Sequence, residues 1–503
     1  MGLSISNGSK NGQLYQVYRS NGGIELNKKV AVNYMYNLTY QILAIFLPFI
    51  TTPYISRVLR PEGVGIFNFT YSMVSIFVLV ASLGSHAYAQ REIAFSGTNK
   101  HNISETFWSI FSIRIVSSLV VTVFYLMLII INKNYLYIYI IEYLCILANM
   151  IDISWLFQGM GDFKKTAIRS IFVKAFSTIA IFAFVKTEND LAIYTFICAF
   201  STFLNASVLW GYAPKVLEKS KIHWLSVKRH IKPIFMFFLP MIAIHVYTNV
   251  DKVFLGWIST EEEVGYYSQA EKIIKLSMTI ITSLGTVLLP QIASLIKERE
   301  MESVKNQVKN AIHFVFVLGF PMVIGIICIA SLFVPWFFGN GYEPCILIMQ
   351  VLSVLILVIG LSGVTGQAVL IPLDRQKIYT VSIICGMIVN VVTNIIFIPV
   401  FNSMGAVIGS IVAEFLVGII QQVVVLKELK LRISEELKDN VACVVSGCIM
   451  GIGLVLVKHL FVSSLLSLFF YSCIGVLIYG ICMIIFRDRF IIQIFNRFKK
   501  QEL

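Results

Sequence analysis

Long apolar runs, each bounded by a short polar or charged cluster, follow one another from Val30 to Phe486. A helix needs about 20 apolar residues to cross a bilayer core ~30 Å thick. The runs therefore predict fourteen transmembrane helices, over residues 30–55, 64–89, 106–131, 135–158, 167–186, 190–211, 232–257, 264–290, 309–336, 344–371, 378–400, 404–426, 441–458 and 464–486. The expected fold class is an all-α integral membrane protein. The polar stretch before Val30 is rich in Ser, Asn and Gly, and a disordered tail over 1–29 is expected. Its Met1-Gly2-Leu3-Ser4-Ile5-Ser6 opening matches a myristoylation pattern, but a chain with many spans needs no lipid anchor.

Breaks in the apolar pattern carry information of their own. Pro48, Pro53, Pro240, Pro321 and the run Gly360, Gly363, Gly366 interrupt spans. Such interruptions are tolerated where a cavity or a neighbouring helix satisfies the freed backbone groups. Gly405-xxx-Gly409 and Gly447-xxx-Gly451 read as close-packing faces. There is also an echo. Glu62-Gly63-Val64-Gly65-Ile66-Phe67 opens the second span, and Glu262-Glu263-Val264-Gly265-Tyr266-Tyr267 opens the eighth. A repeat six spans apart suggests a duplicated helical bundle, a known transporter construction.

Composition agrees with the pattern: 57% of the 503 residues are hydrophobic and only 13% charged, about half the charge of a soluble chain. The net charge of +13 does not indicate nucleic acid, because the basic residues sit in short loops. Thirty Lys and Arg fall on the side of the N-terminus and five on the opposite side. By the positive-inside rule both termini are expected in the cytoplasm. The nine cysteines lie in or beside apolar runs with no CxxC pair, so no zinc framework or disulfide set is expected.

There is no GxxxxGK[ST] phosphate loop and no HExxH or paired metal-ligand motif. The loops on the poorly charged side are too short to carry a catalytic or nucleotide site. No enzyme activity and no cofactor are expected, and a membrane-embedded polymerase is disfavoured.

Charges inside spans are the positive signal, since each costs about 2.5–3.5 kcal/mol unless it faces a cavity or a partner. Ten stand out: Arg114, Glu142, Asp152, Lys174, Asp251, Lys252, Glu271, Lys272, Lys275 and Glu414. At ~1.5 Å per residue, Arg114, Asp152 and Lys174 fall in the inner halves of their spans. Lys252 and the Glu271–Lys275 cluster fall in the outer halves, and Arg57 and Arg60 close the first span at its outer end. Cations thus form two tiers, one reachable from each side. The bland alternative is internal ion pairing, which the i,i+4 spacing of Glu271 and Lys275 invites. His245, Asn249 and Lys252 share one helical face.

Four ordered motifs resemble the Wzx-type flippases of the multidrug/oligosaccharidyl-lipid/polysaccharide exporter superfamily. They are Arg57-Val58-Leu59-Arg60-Pro61-Glu62-Gly63-Val64-Gly65; Asp152-Ile153-Ser154-Trp155 with Gln158-Gly159, Asp162-Phe163-Lys164-Lys165 and Arg169; Asn249-Val250-Asp251-Lys252 with Gly256 and Val264-Gly265-Tyr266-Tyr267; and Asn390, Asn394, Ile398-Pro399, Gly405-Ala406 ending near Glu414. Arg60, Gly161 and Gln291 stand where glycine, an acid and arginine are usual.

The resemblance implies two six-helix lobes, residues 30–212 and 232–427, joined by a cytoplasmic linker at 213–231. A loop with two appended helices (428–486) and a cytoplasmic tail (487–503) would follow. It also implies alternating access in a bacterial cytoplasmic membrane. The cargo would be an undecaprenyl-diphosphate-linked oligosaccharide, carried from the inner to the outer leaflet for capsule, exopolysaccharide or O-antigen assembly. A polymerase and glycosyltransferases would be partners, with membrane lipids around the chain. Arg57, Arg60, Arg114, Lys174, Lys252, Lys272 and Lys275 would line a cationic cavity for the diphosphate. Asp152, Asp251, Glu271 and Glu414 would be candidates for ion coupling. A cation-coupled drug exporter of the same superfamily is the rival, but it would favour acids over cations in the cavity.

Overall fold

The computed structural model describes residues 23–220, 223–431 and 433–489, with side chains from Phe46 onward except at parts of 239–247, at 286 and over 433–439. The myristoylation pattern and the first 22 residues of the expected tail lie outside the described residues, as does the side chain of Pro240.

Helix α1 runs Gly23–Ser82 and holds the first two expected spans in one rod, broken at Arg60. Arg60 has φ 57°, the left-handed region that glycine adopts freely, which gives a physical reason for glycine being usual there. Pro61 follows at once, as the first residue of the restarted helix, where its missing N–H costs nothing. Then come α2 (Ser85–Phe95), α3 (Lys100–Ile131), α4 (Leu136–Ile151), α5 (Ser154–Gly159), α6 (Phe163–Phe184), α7 (Leu191–Ser207), α8 (Trp224–Ile258) and α9 (Glu261–Lys297). The chain continues through α10 (Met301–Phe337), α11 (Pro344–Leu352), α12 (Leu355–Ser362), α13 (Gln376–Phe401), α14 (Ser403–Leu429), α15 (Ile433–Val457) and α16 (Leu465–Ile485).

This is an all-α membrane protein. Among the described residues twelve separate helices are long and apolar enough to cross a membrane. Two differences separate that number from the expected fourteen. The first two spans are continuous through the break at Arg60, and the seventh lies in α8, several of whose side chains are not described. The glycine run after α12 is a π-helical stretch, Gly363–Leu370, a form concentrated at functional sites. A Cβ on Gly366 would meet Gln421 Oε1 at 2.4 Å, so the loosened turn lies tight against α14.

The largest buried cluster spans both halves, with Phe69, Val74, Tyr125 and Ile146 alongside Val264, Tyr267, Ile312 and Leu352. α15 and α16 pack on α10 through Cys328, Leu332, Met450, Leu454 and Tyr471.

The sequence echo occupies one contact. A Cβ on Gly65 would lie 1.6 Å from the carbonyl oxygen of Glu261, and a Cβ on Gly265 would lie 2.2 Å from that of Pro61. Glycine 65 meets residue 261 and glycine 265 meets residue 61, so the two copies of the motif face each other reciprocally. That is the relation a two-fold between duplicated halves would produce. It lies at the end of the molecule opposite the basic loops.

Candidate functional site

Three cavities and one surface depression collect the polar groups that the apolar spans contain. The first cavity, about 660 Å³, lies mostly among N-terminal helices and is lined by Tyr71, His86, Arg114, Asn149, Asp152 and Arg169 among others. α5 is a short helix set off from α4 by the extended residue Asp152, and this break turns the carboxylate toward α3. Arg114 is 3% exposed. Its Nε and Nη2 donate to the Asn149 carbonyl and Oδ1, both at 2.7 Å, and Nη2 lies 3.7 Å from Asp152 Oδ2. Asp152 also accepts from Ser154 N (3.0 Å) and Oγ (2.8 Å), and His86 Nδ1 stands 3.7 Å away. A guanidinium this deep is retained only because Asn149 and Asp152 hold it.

The second and third cavities, about 380 Å³ each, lie on either side of Glu271. Glu271 accepts Lys252 Nζ at 2.9 Å on one oxygen and Lys275 Nζ at 2.6 Å on the other. The i,i+4 expectation for Glu271 and Lys275 holds, and Lys252 joins from the preceding helix. Lys272 lines the third cavity with Lys252, Lys275, Asn68 and Gln269, and makes no ion pair with a carboxylate among the described residues. With three lysines and one carboxylate, this wall carries a net positive charge.

Asp251, one residue before Lys252, points the other way into the second cavity, which Glu414 also lines. Its carboxylate is 4% exposed and accepts four donors. Tyr267 Oη and Ser410 Oγ reach Oδ2 at 2.6 Å each. Asn390 Nδ2 and Asn394 Nδ2 reach Oδ1 at 3.0 and 2.6 Å. Gly409 makes room for this cluster, since a Cβ there would meet Asn394 Oδ1 at 2.5 Å. That oxygen is buried and accepts no hydrogen bond from the described residues.

The depression, at the end away from the basic loops, is lined by Arg57, Arg60, Glu62, Glu188 and Glu262. Arg60 pairs with Glu188 at 2.5 Å and Arg57 donates to the Trp336 carbonyl. Both arginines are largely in solvent here, tying helices together, and neither reaches the three cavities.

The expected site residues therefore divide into four places. Arg114 and Asp152 meet in the first cavity, and Lys252, Glu271, Lys272 and Lys275 gather around the third. Asp251 and Glu414 share the second, while Arg57 and Arg60 sit on the surface. Lys174, half-buried on α6, lines none of them. Arg169, His86 and Gln158 line the first cavity but were not among the expected cavity cations or acids. Arg169 stands only two residues inside an expected span and was counted with the loop charges. His245 of the α8 polar face lines the first cavity, while Lys252 on the same face lines the third. One helix thus touches all three cavities.

Comparison with known proteins gives this arrangement its context. The model of a family described as Polysaccharide biosynthesis protein matches residues 30–296, more than half of the chain. The chain belongs to the polysaccharide biosynthesis protein family. A second model, Lipid II flippase MurJ, matches residues 173–476. Among members of known sequence, a Putative O-antigen transporter of Escherichia coli (strain K12) is 25% identical over 76% of this chain and 94% of its own. The Capsular polysaccharide biosynthesis protein CapF of Staphylococcus aureus is 19% identical over 76% of this chain and 96% of its own.

Solved structures show the same fold at lower identity. The lipid II flippase MurJ in its inward closed conformation superposes with TM-score 0.65 at 15% identity, covering 91% of this chain and 99% of that one. An inward-facing multidrug resistance MATE family transporter of the MOP superfamily gives 0.60 at 15% identity, over 77% and 94%. The family and the fold accord with the Wzx-type resemblance of the four motifs, and the chain is a multi-pass membrane protein of transporter type.

Proposed function

We propose that this chain is a flippase that carries undecaprenyl-diphosphate-linked oligosaccharide from the inner to the outer leaflet of a bacterial cytoplasmic membrane, for surface polysaccharide assembly. The observation that carries the reading is the third cavity, whose wall holds three lysines against one carboxylate. A diphosphate entering a low-dielectric cavity needs such a surplus of cations, and a drug cation would be repelled by it. Arg114 and Arg169 in the first cavity would offer an earlier contact on the basic side. The relatives named for O-antigen transport and capsular polysaccharide biosynthesis support this substrate class.

Residues 30–212 and 232–427 act as two lobes rocking about α8 and α9, with both termini in the cytoplasm and α15–α16 appended. The contact of Gly65 with Glu261 and of Gly265 with Pro61 closes the outer end. Asp251 is the acid best placed to couple this motion to an ion. Four donors hold its carboxylate, and the Asn394 oxygen beside it accepts no hydrogen bond from the described residues. Bound sodium would use both. Asp152 and Glu271 are occupied by their cations and serve as structural counter-charges. No covalent step is involved.

In spheroplasts of cells depleted of the chain, the lipid-linked oligosaccharide should stay hidden from an added lectin, and wild-type protein should expose it. Collapsing the sodium gradient should hide it again in wild-type cells and have no further effect on Asp251→Asn. Full exposure in depleted cells would refute the assignment. Full exposure with Asp251→Asn would remove that residue from coupling.

A further inference from the structure

Away from the three cavities, at the end carrying the basic loops, three ligand-bearing side chains converge from distant parts of the sequence. His313 comes from α10, Cys443 from α15, and Asp488 from the chain just beyond α16. All three are buried, and one ligand atom from each lies within 4.8 Å of the others. His313 Nε2 is 3.0 Å from Asp488 Oδ1, and Cys443 Sγ is 3.8 Å from Asp488 Oδ2.

The ring of His313 is held from both sides. Its Nδ1 faces Asn440 Oδ1 at 2.9 Å. When Nδ1–H donates to that oxygen, Nε2 presents a lone pair to a carboxylate 3.0 Å away. Two acceptors at that distance need a proton or a metal ion between them. The thiol, which donates to the other carboxylate oxygen at 3.8 Å, favours the metal because it brings a third ligand atom to the same point as the imidazole and the carboxylate. Zinc bonds of about 2.0 Å to nitrogen or oxygen and 2.3 Å to sulfur put tetrahedral ligand atoms about 3.3–3.5 Å apart. Entry of an ion would part His313 and Asp488, now 3.0 Å apart, by a few tenths of an ångström and draw in the Cys443 sulfur, now 3.8 Å from the carboxylate. Histidine ligands held by a hydrogen bond on the far ring nitrogen are the usual arrangement, and Asn440 supplies that bond.

We propose that His313 Nε2, Cys443 Sγ and the Asp488 carboxylate bind a zinc-class divalent ion, leaving a fourth position for water. The ion fastens the end of α16 and the appended helix α15 to α10. None of the three residues lines a transport cavity, so the site is a structural clip and not part of the path of the lipid.

The test uses purified full-length chain in detergent, stripped with a chelator and titrated with cobalt(II). Wild-type protein should take up a single cobalt per chain with a thiolate-to-cobalt charge-transfer band, and zinc should bleach that band. Cys443→Ser should lose the band, His313→Gln should lose binding, and Asn440→Ala should weaken affinity by about 10- to 100-fold. In wild-type protein, zinc should also slow the labelling of the buried Cys443 by maleimide during a mild denaturant pulse that exposes it in the stripped protein, read by peptide mass spectrometry, which needs no variant to fold. A monodisperse wild-type protein with no such band, or a band that survives Cys443→Ser, overturns the proposal. So does equal labelling of Cys443 with and without zinc; the cluster is then an imidazolium–carboxylate pair with a bystander thiol.

Discussion

Replacing Lys272 with alanine is expected to abolish surface polysaccharide while leaving the protein at wild-type abundance. The two flanking lysines are bound to Glu271 on opposite oxygens, so removing either leaves that carboxylate one partner. Lys272 has no carboxylate to strand among the described residues, and it lines the third cavity together with Asn68 and Gln269. Its loss should therefore register in transport and not in folding. Removing Lys252 and Lys275 together should behave differently. A buried carboxylate stripped of both cations costs about 3–5 kcal/mol, enough to deplete the protein from the membrane, and adding Glu271→Gln should restore abundance. Membrane immunoblots beside polysaccharide quantification separate these outcomes. If Lys272→Ala exports normally, or if Glu271→Gln restores its export, the lysine is structural and the cavity assignment fails.

The second large effect concerns the reciprocal glycines. Gly65→Val and Gly265→Val should each reduce export by about tenfold or more, since overpacking costs of about 1–3 kcal/mol would fall only on the state in which this end is closed. A Cβ at 65 cannot be absorbed by a rotamer change, because the atom it meets is the backbone oxygen of Glu261. Gly325→Ala is the matched control, as nothing lies within 4 Å of its added carbon. The two variants should share one phenotype and should raise labelling from outside of a cysteine placed at Thr52, in the third cavity. Wild-type export from both would show that the contact is incidental to transport.

How much of this was legible before the structure depends on how far apart the interacting residues lie in sequence. Spans and the Glu271–Lys275 pair follow from local spacing; the pair is present, and twelve of the apolar helices stand as separate spans among the described residues. The echo was legible as a repeat, but only three-dimensional packing turns it into a contact between residues 61 and 265 and between 65 and 261. Asp152 was expected as an ion-coupling acid, yet Arg114, 38 positions earlier on another helix, holds it. Nothing in the periodicity of either span predicts that partnership. The four donors around Asp251 come from positions 267, 390, 394 and 410. All four had been singled out as motif residues or lay between them, but their convergence on one carboxylate needed the packing of α8 against α13 and α14. Arg57 and Arg60, expected as cavity cations, are exposed and tie helices together around a depression apart from the three cavities.

The proposed function requires that this chain alone move a diphosphate-linked headgroup across a bilayer. The direct measurement reconstitutes purified protein into vesicles containing undecaprenyl-diphosphate-oligosaccharide, under a sodium gradient and without ATP. A glycosidase added outside reads how much headgroup becomes accessible. The account predicts that wild-type protein exposes the protected inner pool, that Lys272→Ala does not, and that the undigested oligosaccharide keeps its original mass. A protected pool unchanged by wild-type protein, or lengthened oligosaccharide chains that would mark a polymerase, would contradict it.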